Sequence, residues 1–82
     1  MKDNNDLLKN LDKIHTTELG AERIKRNLEL DIEDAVFWCT EKIRQADSIV
    51  RKGKNWYAYA GNVAITINAH SYTIITAHKC RE

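Results

Sequence analysis

The stretch Ser48–Lys79, SIVRKGKNWYAYAGNVAITINAHSYTIITAHK, decides the fold. Val, Ile, Thr, Tyr and Trp dominate it, and apolar residues tend to recur at every second position, the period of a half-buried strand. Gly53-Lys54, Gly61-Asn62 and Ala69-His70-Ser71 interrupt it. Separators this short join antiparallel neighbours, so four strands are predicted at 48–52, 55–60, 63–68 and 72–78. A two-residue turn at Gly61-Asn62 sets Ala60 opposite Val63, Ala58 opposite Ile65 and Trp56 opposite Ile67. One face then gathers those six residues and packs on helices. The other carries Tyr57, Tyr59, Ala64, Thr66 and Asn68 and faces solvent or a ligand. The last strand has two readings: a tight His70-Ser71 turn puts Ile74, Thr76 and His78 on the core face, and a bulge moves them to the open one.

Upstream of Ser48 the period is helical. Leu7, Leu8, Leu11 and Ile14 follow an Asn-Asn-Asp start that can cap, which predicts a helix over 5–14. Thr16 or Thr17 offers a second cap, with Leu19, Ile24 and Leu28 on one face and Ala21 near it, for a helix over 17–28. Asp31 with Asp34 resembles a capping box and begins a third helix over 32–46, whose stripe is Ile32, Val36, Cys39, Ile43 and Ala46. The expectation is one α+β domain over residues 1–82, with about three N-terminal helices packed on one face of a four-stranded antiparallel meander.

At 82 residues, 43% hydrophobic and 30% charged, the chain holds one core and few spare apolar side chains for a deep pocket. No apolar run approaches the ~20 residues a membrane span needs, and no signal sequence opens the chain. Cys39 and Cys80 do not make a disulfide framework, which fits a reducing compartment. A cytoplasmic protein without a membrane partner is expected.

The formal charge of +1 conceals an asymmetry. Residues 1–40 carry six Lys/Arg against nine Asp/Glu, and residues 41–82 carry seven against three. From Ser48 to Arg81 there is no acidic residue, while Arg51, Lys52, Lys54, Lys79 and Arg81 lie there with His70 and His78. Such a one-signed surface attracts polyanions; lysines at sheet edges also block edge-to-edge pairing. Tyrosines on a basic sheet can stack unpaired bases while Lys and Arg hold phosphates. The expected binding set is Arg51, Lys52, Lys54, Tyr57, Tyr59, Asn68, His70 and Tyr72.

Cleaving RNA without a metal needs a base for the 2′-hydroxyl, an acid for the leaving 5′-oxygen and a cation beside the phosphate. His15, His70 and His78, with Arg23, Arg51, Lys52 or Lys54, supply the residue types. Each histidine alone has an ordinary structural use: His15 at a helix end, His78 at a strand end. Two-metal chemistry needs clustered carboxylates that the sheet lacks, and His78-Lys79-Cys80 has no second ligand pair for zinc. No cofactor and no metal are expected. There is no phosphate loop and no Gly-x-Ser-x-Gly, and Cys39 lies on a buried helical stripe. A helix-turn-helix in the first thirty residues is opposed by their negative charge.

The runs HTTELGAERIKRNL (15–28), GKNWY (53–57) and NAHSYTIITAHK (68–79) resemble a small bacterial family of unknown function. More loosely, helices followed by a meander ending in IITAH (74–78) are similar to the barnase/RelE-like ribonuclease fold group. That resemblance implies metal-free RNA cleavage on a sheet face. By type and place it implies Thr76 and His78 on the last strand, Tyr57 and Asn68 on the sheet, and His15 with Arg23 on the helical wall, with His15, Arg23, Thr76 and His78 as the catalytic set. A metal-independent endoribonuclease or RNA-binding domain is therefore one expectation. The other is an interaction module, an inhibitor or regulatory partner that binds a protein or a second copy through Tyr57, Tyr59 and Trp56 or Tyr72.

Overall fold

The protein is described here from a computed structural model covering residues 4–29 and 33–79, with side chains from Leu7 onward. Gly53 and Gly61 sit at φ +63° and +61°, the left-handed conformation that glycine adopts at no steric cost. Around these turns the chain forms β1 (Ser48–Lys52), β2 (Asn55–Ala60) and β3 (Val63–Asn68) at the expected bounds, followed by β4 (Ile74–Lys79). The sheet is an antiparallel meander in the order β1-β2-β3-β4. Its central register pairs Ala60 with Val63, Ala58 with Ile65 and Trp56 with Ile67, as the two-residue turn dictates.

The last strand is bulged. Ile67 opposes Ile74 but Thr66 opposes Thr76, so Ile75 is an extra residue. Ile74 and Ala77 are buried on the helix side, while Thr76 and His78 lie opposite Thr66 and Ala64 on the open face. The cause is the pattern Ile74-Ile75-Thr76-Ala77-His78. Strict alternation from Ile74 would bury Thr76 and His78, and one bulge buries the two apolar residues instead.

β4 also starts two residues later than expected. Tyr72 adopts φ +62°, a conformation that costs a residue with a side chain about 1–2 kcal/mol. It is held there by its N–H donating to the Asn68 carbonyl at 2.8 Å and by its ring against Trp56, centroids 5.3 Å apart. Thr73 forms an isolated parallel bridge with His15. In that bridge the His15 N–H donates to the Tyr72 carbonyl, and the Ile74 N–H donates to the His15 carbonyl at 2.8 Å. The Thr16 hydroxyl donates to the Ile74 carbonyl at 3.0 Å, so the start of the β4 edge is covered.

Three helices close the other side of the sheet. The first expected helix is divided: α1 (Asn4–Lys9) ends at Asn10, and a 3-10 turn follows at Leu11–Lys13. α2 (Glu18–Leu28) is capped by Thr17, whose hydroxyl accepts from the Gly20 N–H. Its buried stripe is Ile24 and Leu28 with Ala21 against the core, whereas Leu19 is 74% exposed. Five residues of helix turn Leu19 about 140° away from Ile24, so the two cannot share a face. α3 (Ala35–Arg44) is capped by Asp34, which accepts from the Phe37 N–H at 2.9 Å. The helix therefore starts from Asp34, and the expected cap Asp31 and stripe residue Ile32 lie outside the described residues. α2 packs along β4 and α3 across β2. One apolar cluster joins Leu7, Ile24, Cys39, Trp56, Ile65 and Ile74. Among the described residues, no helix is long and apolar enough to cross a membrane.

Candidate nucleic-acid interface

Antiparallel register turns the open face into three rows. Lys52, Asn55 and Asn68 make the first; Val50, Tyr57, Thr66 and Thr76 the second; Ser48, Tyr59, Ala64 and His78 the third. The helical layer packs against the opposite face, and α2 reaches round the β4 edge to bring Asn27 to Thr76. Tyr59 is 39% exposed, Val50 is exposed and Tyr57 is half-buried. Val50, Lys52, Gly53, Tyr57 and Tyr59 line a shallow hollow of about 480 Å³. The tyrosine rings are thus side by side on one strand, two residues apart, with apolar and cationic neighbours.

Lys52 leads to a basic end. The β1–β2 and β3–β4 turns meet there through the Ala69 N–H donating to the Lys54 carbonyl at 2.8 Å. Asn68 Oδ1 accepts from the N–H groups of both His70 and Ser71 at 2.9 Å, which fixes the second turn. A hollow of about 520 Å³ is lined by Arg51, Gly53, Lys54, Asn68, Ala69 and His70. Arg51 pairs with Trp56 and so stands on the helix side of the sheet margin. Its Nε donates to the Gly53 carbonyl at 3.1 Å, and its guanidinium lies 5.6 Å from the Trp56 ring centroid. Among the described residues no carboxylate pairs with Arg51, Lys52 or Lys54.

The expected binding residues therefore divide. Lys52, Tyr57, Tyr59 and Asn68 share the open face; Lys54, His70 and Arg51 surround the hollow at its end. Tyr72 does not join them, because it packs on Trp56 with the Lys13 ammonium 5.7 Å from its ring centroid. Trp56, at 2% exposed, is a core residue and no interface anchor.

The expected catalytic residues are spread more widely. Thr76 and His78 are on the open face, and Thr76 Oγ1 accepts from Asn27 Nδ2 at 3.4 Å. Arg23 is exposed one helical turn before Asn27, on the same side of α2. His15 is bridged to Thr73, five strand residues from His78 and so about 16 Å away along β4. Its Nδ1 lies 2.9 Å from the Lys13 carbonyl, which can only accept, so Nδ1 carries the proton. In the neutral ring Nε2 then accepts from the Thr73 hydroxyl at 3.1 Å. Both nitrogens of His15 are thus engaged in tying the N-terminal half to the sheet.

Several polar residues at this site were not singled out from sequence. Thr73 Oγ1 lies 2.8 Å from Ser71 Oγ, which also reaches Asn68 Oδ1 at 3.2 Å, so a hydroxyl chain links His15 to the open face. Asn55 Oδ1 is buried with no hydrogen-bond partner among the described residues, which costs about 1–3 kcal/mol for an acceptor. Its alternation with Tyr57 and Tyr59 was the available signal. Burial pushes the Cys39 thiol up to about 12, so it is an inert core group. Among the described residues no three His, Cys, Asp or Glu side chains are grouped to hold a metal.

No curated protein and no solved structure matches the chain. A family match extends over residues 8–78, from before the 3-10 turn to His78, and includes nearly all of the helical layer and the sheet. The chain belongs to the family described as "Protein of unknown function (DUF3781)".

Proposed function

We propose that the chain is an RNA-binding domain that holds single-stranded RNA on the open face of its sheet and does not cleave it. The observation that carries this reading is the pair Tyr57 and Tyr59, uncovered by any helix and bordered by Lys52 and a hollow with three basic side chains. Unpaired bases stack on such rings, each stack being worth about 1–3 kcal/mol, while cations track the backbone. Binding is favoured over cleavage because an acid and a base must both reach one phosphate, whereas His15 and His78 lie near opposite ends of β4 and both His15 nitrogens are occupied.

Fluorescence anisotropy with labelled single-stranded and duplex RNA tests this. Single-stranded RNA is expected to bind more tightly, with affinity falling as salt rises. Replacing Tyr57 and Tyr59 together by Ala is expected to weaken binding at least about tenfold, while Phe at both positions retains most of it. Equal affinity of the Ala variant and the parent sinks the stacking platform. Loss of RNA in EDTA that depends on His78 transfers the reading to metal-independent cleavage.

A second reading has its own support. Val50 and Tyr59 are exposed large side chains on the same face, a composition that also suits a protein interface. Concentration-dependent dimerisation abolished by Val50→Lys, with no RNA binding, would select it.

A further inference from the structure

We infer that the hollow at the turn end of the sheet is a phosphate-dianion site. On the platform reading, on which this part of the inference rests, its occupant is the terminal phosphomonoester of the bound strand. The hollow of about 520 Å³ lies between two hairpin turns, with Arg51 and Lys54 from one and His70 and Asn68 from the other. The turns are locked together by the Ala69 to Lys54 backbone bond, and His70 is held by the Asn68 side chain. The cations are therefore gathered by the backbone before any ligand arrives.

Arg51 is the best oriented of them. Its Nε bond to Gly53 and its place over Trp56 fix the plane of the guanidinium. The four terminal N–H donors have no partner among the described residues, and a planar fork of this kind matches phosphate oxygens two at a time. Lys54 adds a mobile point charge, and His70 an imidazole that can donate.

Charge selects the terminal phosphate over an internal one. A phosphomonoester carries about −1.5 to −2 at neutral pH, whereas a phosphodiester carries a single negative charge. Two cationic side chains, Arg51 and Lys54, and the His70 imidazole around one opening, with no acidic residue from Ser48 to Lys79, favour the more highly charged group. The position agrees. The hollow lies beyond the row Lys52, Asn55, Asn68, at the margin of the tyrosine face, where a strand stacked on Tyr57 and Tyr59 would end.

The experiment has two arms on the full chain. In the first, inorganic phosphate is titrated into isotope-labelled protein and backbone amide signals are followed. Saturable shifts are expected at Gly53, Lys54, Ala69 and His70, and they disappear in the Lys54→Ala/His70→Ala variant. These two side chains are exposed, and circular dichroism confirms that the variant is folded. In the second arm, one oligonucleotide is compared with both ends hydroxylated, with a 5′-phosphate and with a 3′-phosphate. One phosphorylated form is expected to bind about tenfold more tightly than the hydroxylated form, and in the double variant that ratio is expected to fall to about one, whatever the overall affinity.

If all three oligonucleotides bind equally, the terminal-phosphate assignment is overturned while the platform stands. If none binds but phosphate shifts the four amides, the platform is overturned and the anion site stands. If phosphate produces no localised shift, the site itself is overturned.

Discussion

Deleting Ile75 is the sharpest test of how the open face is made. Ile74 and Ile75 are identical neighbours, so deletion of either yields the same chain. The bulge vanishes, and the remaining isoleucine takes the core position opposite Ile67. Thr76 then follows it opposite Thr66, and Ala77 and His78 keep their present faces. The energetic loss is the partial burial of one side chain. Ile75 is 41% exposed, and complete burial of an aliphatic of this size contributes about 1.5–3 kcal/mol, so the cost is about 1–2 kcal/mol. For a domain of this size that lowers Tm by roughly 5–10 °C. Deleting Ala77 is the contrasting change. The strand can again become continuous, but Thr76 is then forced into the fully buried slot opposite Ile65. Extra atoms and an unpaired hydroxyl together cost about 2–5 kcal/mol there. Urea unfolding followed by circular dichroism gives both values, and a cross-strand nuclear Overhauser contact between Ala64 and His78 reports the register. The reasoning fails if the Ile75 deletion costs as much as the Ala77 deletion, or if His78 leaves Ala64.

Three further outcomes are expected. Cys39 has its thiol raised by burial from an ordinary 9.0 to about 12, so the folded state holds that proton more tightly than the unfolded one. Its contribution to stability is full below about pH 9 and falls by about 1.4 kcal/mol per pH unit as pH rises toward 12; Cys39→Ala should flatten the slope of urea stability against pH over that window, and an unchanged slope refutes it. Gly20→Ala should destabilise although alanine is the better helix former, because the new Cβ meets Thr16 Oγ1, the hydroxyl that holds the Ile74 carbonyl. In a Thr16→Ala background the same change should become neutral or stabilising, and a double-mutant cycle showing no coupling would contradict the contact. Gly61→Ala should cost about 1–2 kcal/mol from its left-handed backbone alone, since nothing lies within 4 Å of the new Cβ, and a clear increase in Tm would refute that account.

Local chemistry was enough to determine the sheet as far as Asn68. Two glycine turns and a period of two leave a single register for β1 to β3, because a slip by one residue would bury Tyr57 and Tyr59 and expose Trp56 and Ile65. The helical layer and the charge asymmetry were legible for the same reason: each depends on spacing or counting along the chain. The ends of helices were less so, since Asp31 and Asp34 are equally good caps and only Asp34 is seen capping α3.

What tertiary structure alone decided lies at β4 and around it. A bulge is a choice between two alternations of nearly equal local merit, and the core settled it by having room for both Ile74 and Ala77. The tyrosines likewise look alike in sequence, yet Tyr57 and Tyr59 stand on the open face while Tyr72 turns onto Trp56. His15 and His78 are separated, and Arg51, Lys54 and His70 brought together, by which turns share an end of the sheet. Such juxtapositions join residues up to 58 positions apart, as in the bridge between His15 and Thr73, and no local preference encodes them. They arise only when one face of the sheet is sealed by helices and the meander places alternate turns side by side.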